Sequence, residues 1–119
     1  MEDIRLKKEK MQLDGKVFEL CVNFNVLADL QEKFGSIKVA LNLPPLVAAR
    51  SLLAAMMNEY ADSKGWEKCD YTAREAGRFL PTEAEELNDV CAKLLGLLRD
   101  AVVAKAVPSD KAKDNAEKN

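Results

Sequence analysis

Four neighbouring carboxylates are the residues whose types and spacing best suit metal binding or acid–base chemistry: Glu83, Glu85, Glu86 and Asp89. Paired carboxylates act as acid and base where burial separates their pKa values. These four fall in the first turns of a predicted amphipathic helix, mostly on its outer face, where the helix dipole favours negative charge. We interpret them as capping and solvated residues, so the pattern predicts neither a metal site nor a catalytic dyad.

Tyr60 and Lys64 have the Tyr-x-x-x-Lys spacing that short-chain dehydrogenases use. Their chemistry requires a dinucleotide-binding fold with a glycine-rich phosphate loop, and the sequence contains neither. We therefore interpret Tyr60 as a core aromatic residue whose hydroxyl reaches water.

The three cysteines, Cys21, Cys69 and Cys91, are widely separated, and the chain has no histidine. There is no Cys-x-x-Cys pair, and no histidine is present to activate a thiolate or to bind a metal. We expect the cysteines to be reduced, small apolar side chains. The sequence predicts a protein that is not an enzyme and that uses no cofactor.

Arg50 is unusual because a helical wheel places it inside an apolar arc, between Leu46 and Met57. Two interpretations stay open. The aliphatic part of its side chain can be buried while the guanidinium remains in water. Alternatively, the guanidinium can pair with a carboxylate of this chain or of a partner.

Charge and hydropathy limit the classes of partner. The net charge of -2 provides no basic field for nucleic acid phosphates. The short basic run of Arg5, Lys7, Lys8 and Lys10 is interleaved with acidic residues and suits a charged edge strand. No apolar run is long enough to cross a bilayer, and the N-terminus lacks the hydrophobic region of a signal peptide. We expect a cytoplasmic protein that binds neither nucleic acid nor membrane.

The first predicted element is a β-hairpin that turns at Asp14-Gly15, two residues that tolerate the positive φ of a type I′ turn. The segment 16–24 alternates, and the residues on one of its faces are apolar: Phe18, Leu20, Val22 and Phe24. A lone hairpin is barely stable, so this one must pack on the rest of the chain.

Helices follow the hairpin. Asn25 is a candidate N-cap for a helix that ends at Gly35, residues 36–42 suit one more short turn, and Pro45 begins a very apolar helix that we expect to be central. Thr72 and Thr82 each begin a capping box.

The last helix is predicted to end at Pro108. The sequence therefore predicts an α+β fold, mostly α-helical, with an N-terminal antiparallel β-hairpin packed on a bundle of about four to five helices. Residues 1–107 form a single domain in this interpretation, and residues 108–119 form a disordered polar tail.

The apolar face of the last helix is wider than packing on the core requires. A domain of this size can leave part of that surface uncovered, and a contiguous uncovered patch indicates a partner or self-association. The candidate partner-binding residues on the two longest helices are Arg50, Met57, Tyr60, Leu95, Leu97 and Val103.

The order of these elements resembles the tail assembly chaperones of long-tailed bacteriophages, which also occur in prophages and gene transfer agents. The corresponding segments are Gly15-Lys16-Val17-Phe18 for the first strand, residues 25–35 for the helix that begins with Asn and ends with Phe-Gly, and residues 72–80 for the turn that begins with Thr. The resemblance covers most of the chain up to about Val107. Gln31 departs from the pattern, since an acidic residue often falls there.

The resemblance implies a function that is not enzymatic. Such chaperones bind and solubilise the tape measure protein, help to recruit tail tube subunits during virion morphogenesis, and are absent from the finished virion. The alternatives are another small phage structural or connector protein, or a cytosolic protein-interaction module. A long helical reading frame immediately downstream would favour the chaperone.

Overall fold

The computed structural model describes residues 7–114, and for residues 104–114 it describes only their place in a helix. The elements are β1 (Glu9–Leu13), β2 (Lys16–Leu20), α1 (Phe24–Phe34), α2 (Ile37–Leu41), α3 (Pro45–Ser63), α4 (Ala73–Gly77) and α5 (Ala84–Asp114). The predicted α+β class, with a hairpin packed on about five helices, is confirmed.

The hairpin forms as its turn residues predict. Asp14 and Gly15 have φ values of 52° and 73°, and the antiparallel register places Leu13 opposite Lys16. Phe18 and Leu20 of β2 are fully buried, while the other face of the strand is more exposed. The hairpin therefore packs on the helices through one face.

The end of the second strand differs from its prediction. β2 ends at Leu20, and Phe24, expected on the buried face, begins α1 with 74% of its surface exposed. The N-cap is Asn23 and not Asn25, because the Asn23 side chain accepts a hydrogen bond from the Val26 backbone N–H. An asparagine that satisfies a free helical N–H draws the backbone out of the strand before the alternation ends.

Helix α3 is central, as its composition predicts. Pro45 occupies its first turn, where the missing N–H costs nothing. From Ala48 to Met57 the helix is buried at almost every position, and it packs against β2, α1, α4 and α5. Alanines at many of these positions allow the neighbouring elements to approach closely.

The capping box predicted at Thr72 is present: the Thr72 hydroxyl accepts from the Glu75 N–H, and the Glu75 carboxylate accepts from the Thr72 N–H. The second box, at Thr82, was a wrong prediction. Helix α5 begins at Ala84, and the carbonyl oxygen of Glu83 accepts the first helical hydrogen bond, from the Leu87 N–H at 2.8 Å. Glu83 therefore occupies the N-cap position, and Thr82 lies one residue before it.

The bounds of α5 extend past Pro108, where the sequence predicts its end. The polar tail predicted for residues 108–119 lies outside the part of the chain whose side chains are described, so it stays a prediction. Within the described part, no helix is long and apolar enough to span a membrane.

Candidate protein-binding surface

Exposed apolar side chains are concentrated where α2 meets α3. Seven large hydrophobic residues are exposed in the described part of the chain, and four of them lie in this short stretch: Val39, Leu41, Leu46 and Val47. We call these four residues the apolar shoulder. Leu46 and Val39 have about half of their surface exposed, at 56% and 47%. Isolated exposed hydrophobic residues need no explanation, but a cluster indicates a binding surface.

Local structure explains this exposure. Helix α2 is only five residues long and ends at Leu41, and the next helix begins only at Pro45. Residues 44–47 are all exposed, and continuous burial of α3 starts at Ala48. The first turn of α3 therefore projects beyond the core, with its side chains in solvent.

A groove with a mixed polar and apolar lining includes Leu41 of the shoulder. Its cavity has a volume of about 280 Å³ between the α2–α3 connection and α5. The residues that line it are Leu41, Asn42, Leu43, Pro45, Ala48, Leu95, Leu98 and Arg99. Leu95, one of the predicted partner-binding residues, thus faces a groove that the shoulder borders.

A second groove, about 450 Å³ in volume, includes Leu46 of the shoulder. We call it the arginine groove, because three arginines from α3 and the α4 region line it. Its lining residues are Leu46, Arg50, Arg74, Gly77, Arg78, Leu80, Pro81, Thr82 and Leu87. No carboxylate is among these lining residues.

Arg50 enters this groove along the surface of α4. A Cβ atom placed on Gly77 would lie 3.6 Å from the Arg50 Cδ atom, so the stem of Arg50 packs against the glycine. The Nε atom of Arg50 is buried and has no hydrogen-bond partner among the residues that the structure describes. All the salt bridges found among the described residues use lysine, and none involves Arg50, Arg74 or Arg78. No carboxylate within that part of the chain therefore pairs with Arg50.

The other predicted partner-binding residues are dispersed. Met57 is fully buried and Leu97 is 8% exposed, so both contribute to the core in this conformation. Tyr60 is half-buried, and its ring lies 5.9 Å from that of Phe18 and 5.6 Å from that of Trp66. Val103 is exposed at the end of the described side chains. The structure thus brings only Arg50 and Leu95 to the grooves beside the shoulder.

Sequence reasoning missed Arg74 and Arg78, the other two cations of the arginine groove. A signal was available, because residues four apart lie on the same face of a helix. Their approach to Arg50, which lies more than twenty positions earlier, depends on the packing of α4 on α3. Local pattern alone does not contain that information.

Tyr60 and Lys64, which have the spacing found in short-chain dehydrogenases, contact each other directly. The Lys64 ammonium lies over the face of the Tyr60 ring, 5.4 Å from its centroid, which is a cation–π contact. Burial, followed by the charges of Glu32 and Glu59, raises the pKa of Asp29. Among the described residues, no group of cysteine, aspartate and glutamate side chains is arranged to hold a metal ion.

Comparison of the chain with protein-family models, curated proteins and solved structures returned no match. The function is therefore inferred from the apolar shoulder, the two grooves that it borders and the order of elements along the sequence.

Proposed function

We propose that this protein is a phage tail assembly chaperone that binds and solubilises the tape measure protein and helps to recruit tail tube subunits. The observation that supports this proposal most strongly is the apolar shoulder, with four large hydrophobic side chains exposed between positions 39 and 47. The resemblance in element order supports the tape measure protein as the partner, and the shoulder supplies a surface on which it can bind.

A tape measure protein is long and helical, and before the tube surrounds it, its apolar stripes face water. An amphipathic helix binds by inserting side chains spaced one turn apart into a hydrophobic groove. The shoulder borders two grooves, with Leu46 in the mainly apolar arginine groove and Leu41 in the other, more polar one. Side chains of the partner can enter these grooves while the core around α3 stays closed.

The strength of such binding suits a chaperone. Full burial of one leucine or valine contributes roughly 1.5–3 kcal/mol. Association costs at least about 4 kcal/mol in lost translational and rotational freedom. Because each of the four side chains is already partly buried, the gain is smaller than full burial, and the net affinity of the shoulder is weak. Tube subunits can therefore displace the protein, which fits absence from the finished virion.

Co-expression with a fragment of the long helical protein encoded immediately downstream tests the proposal. The wild-type chain should keep the fragment soluble and co-purify with it. Val39→Ser combined with Leu46→Ser should lose most of this activity, because it removes exposed apolar contacts at the shoulder. Val17→Ser combined with Phe24→Ser is the matched control, since both residues are equally or more exposed but lie outside the shoulder.

Circular dichroism should show both double variants to be folded, because the substituted side chains are exposed. Loss of solubilisation in the control pair to the same extent would contradict a role for the shoulder. A fragment that stays insoluble with the wild-type chain, or the absence of a long helical reading frame downstream, would contradict the chaperone function. Ring-shaped oligomers would instead indicate a connector protein.

A further inference from the structure

We infer that the arginine groove binds a glutamate or aspartate side chain presented by an apolar helical segment of the partner. The inference rests on the proposed function, since it takes the partner to be a protein helix. It adds a charge requirement to the apolar binding at the shoulder. The partner should carry a carboxylate beside the side chain that packs on Leu46.

The first support is a group of three arginines that form no salt bridge with any described residue. Arg50 of α3 and Arg74 and Arg78 of the α4 region share one cavity of about 450 Å³. None of the three forms a salt bridge with another described residue, and no lining residue is acidic. Like charges gathered at one site repel each other, and a carboxylate would relieve that repulsion.

The second support is the buried Nε atom of Arg50, which lacks a hydrogen-bond partner in the described part of the chain. A buried donor that is left unpaired is unfavourable, and guanidinium groups suit bidentate pairing with a carboxylate. Packing of the Arg50 stem against Gly77 restricts how far the side chain can turn away. The arginine is thus partly ordered before the partner binds, which lowers the entropy lost on binding.

The surroundings favour a peptide over a nucleic acid. Leu46, Leu80 and Leu87 give the groove an apolar lining that suits aliphatic side chains next to the carboxylate. Glu83 and Glu86 lie in the sequence between the lining residues Thr82 and Leu87, and both are exposed. Their negative charge would repel a polyanionic backbone more strongly than a single carboxylate.

Calorimetric titration with defined probes tests the inference. The first probe is an amphipathic peptide of about four helical turns, with a leucine stripe flanked by glutamates. The second replaces every glutamate with glutamine, and the third is a single-stranded oligothymidylate. The wild-type chain should bind the glutamate peptide at least about tenfold more tightly than the glutamine peptide.

Variants then assign that preference to the groove. Arg74→Glu combined with Arg78→Glu should abolish it, whereas Arg74→Lys combined with Arg78→Lys should keep part of it. Lys33→Glu combined with Lys64→Glu makes the same change in net charge at exposed positions outside the groove and should leave the preference intact. Both substituted arginines are exposed, so the variants should fold, and circular dichroism checks this.

Equal binding of the two peptides would overturn the inference. An equal loss of the preference in the variant that combines Lys33→Glu with Lys64→Glu would also overturn it. Tighter binding of oligothymidylate would overturn it in favour of nucleic acid. Sedimentation equilibrium that shows self-association dependent on Arg74 and Arg78, without peptide binding, would identify a second copy of the chain as the occupant. A wild-type chain that prefers the glutamate peptide but does not solubilise the downstream fragment would contradict the proposed function alone.

Discussion

The hydroxyl of Tyr71 donates a hydrogen bond of 2.6 Å to the carboxylate of Asp14, across 57 positions of sequence. Asp14 lies in the hairpin turn, and Tyr71 directly precedes the capping box of α4. The Tyr71 ring is buried and meets the Phe18 ring nearly edge-on at 6.0 Å. This bond therefore fixes the hairpin to the segment that positions α4, and with it two cations of the arginine groove.

Replacing Tyr71 with Phe should lower the free energy of unfolding by about 1–2 kcal/mol, because it removes a hydrogen bond to a charged acceptor while keeping the ring contacts. Urea denaturation at neutral pH measures the change. Tyr60→Phe is a suitable control, since that ring is half-buried and packs on the same Phe18. An unchanged midpoint in Tyr71→Phe would show that the bond contributes nothing to stability.

Stability should also fall at alkaline pH. Burial of the Tyr71 side chain, together with its hydrogen bond to Asp14, raises the pKa of Tyr71 to about 12, from 10.0. A group whose pKa is higher in the folded chain stabilises fully below its unfolded pKa, and this contribution is lost as pH rises through the folded pKa. The stability difference between wild type and Tyr71→Phe should therefore shrink between about pH 10 and pH 12. A difference that stays constant over this range would contradict the assignment.

Asn58 joins α3 to the segment that precedes α4 through two hydrogen bonds with the Tyr71 backbone. Its side-chain oxygen accepts from the Tyr71 N–H at 2.6 Å, and its amide donates to the Tyr71 carbonyl at 3.0 Å. Asn58→Ala should cost about 2–3 kcal/mol, because both backbone groups lose their partner in a partly buried place. Asn58→Asp keeps only the acceptor and should cost less than Asn58→Ala. Thermal unfolding of the two variants checks the order, and the reverse order would contradict it.

Phe18 and Phe24 were both predicted to anchor the hairpin, but only Phe18 is buried. Phe18→Ala should destabilise the protein by roughly 3–5 kcal/mol, since it opens a cavity beside the rings of Tyr60, Trp66 and Tyr71. Phe24→Ala should change stability by no more than about 0.5 kcal/mol, because the side chain is largely in solvent. Chemical denaturation compares the two, and similar losses would show that Phe24 packs in solution.

Glu75 should contribute to stability in a pH-dependent way. The hydrogen bond from the Thr72 N–H, followed by the pairing with Lys68, lowers the pKa of Glu75 below 4.5. A lowered pKa gives stability that is present above the unfolded value and is lost as pH falls through the folded value. Glu75→Gln should therefore be less stable than wild type at pH 7, with a difference that shrinks as pH falls below about 4.5. The exposed Glu67→Gln is the control, and an equal effect there would contradict the prediction.

Elements determined by neighbouring residues could be predicted from the sequence. Asp14 and Gly15 accept positive φ at both turn positions. The side chains of Thr72 and Glu75 each accept a hydrogen bond from the other residue's backbone N–H, within one helical turn. Pro45 begins α3 because its fixed φ suits a first helical turn. These features depend on backbone sterics and on hydrogen bonds between residues close in sequence, so the sequence alone determined them.

Contacts between distant residues were decided only by the tertiary structure. The end of β2 depends on Asn23, whose side chain caps α1 and also donates to the Glu59 carboxylate at 2.8 Å. The arginine groove exists because α4 packs on α3 and brings Arg74 and Arg78 to Arg50. A helical wheel shows which face of one helix is apolar, but not which other element covers it. Exposure of the shoulder and convergence of the three arginines follow from that packing.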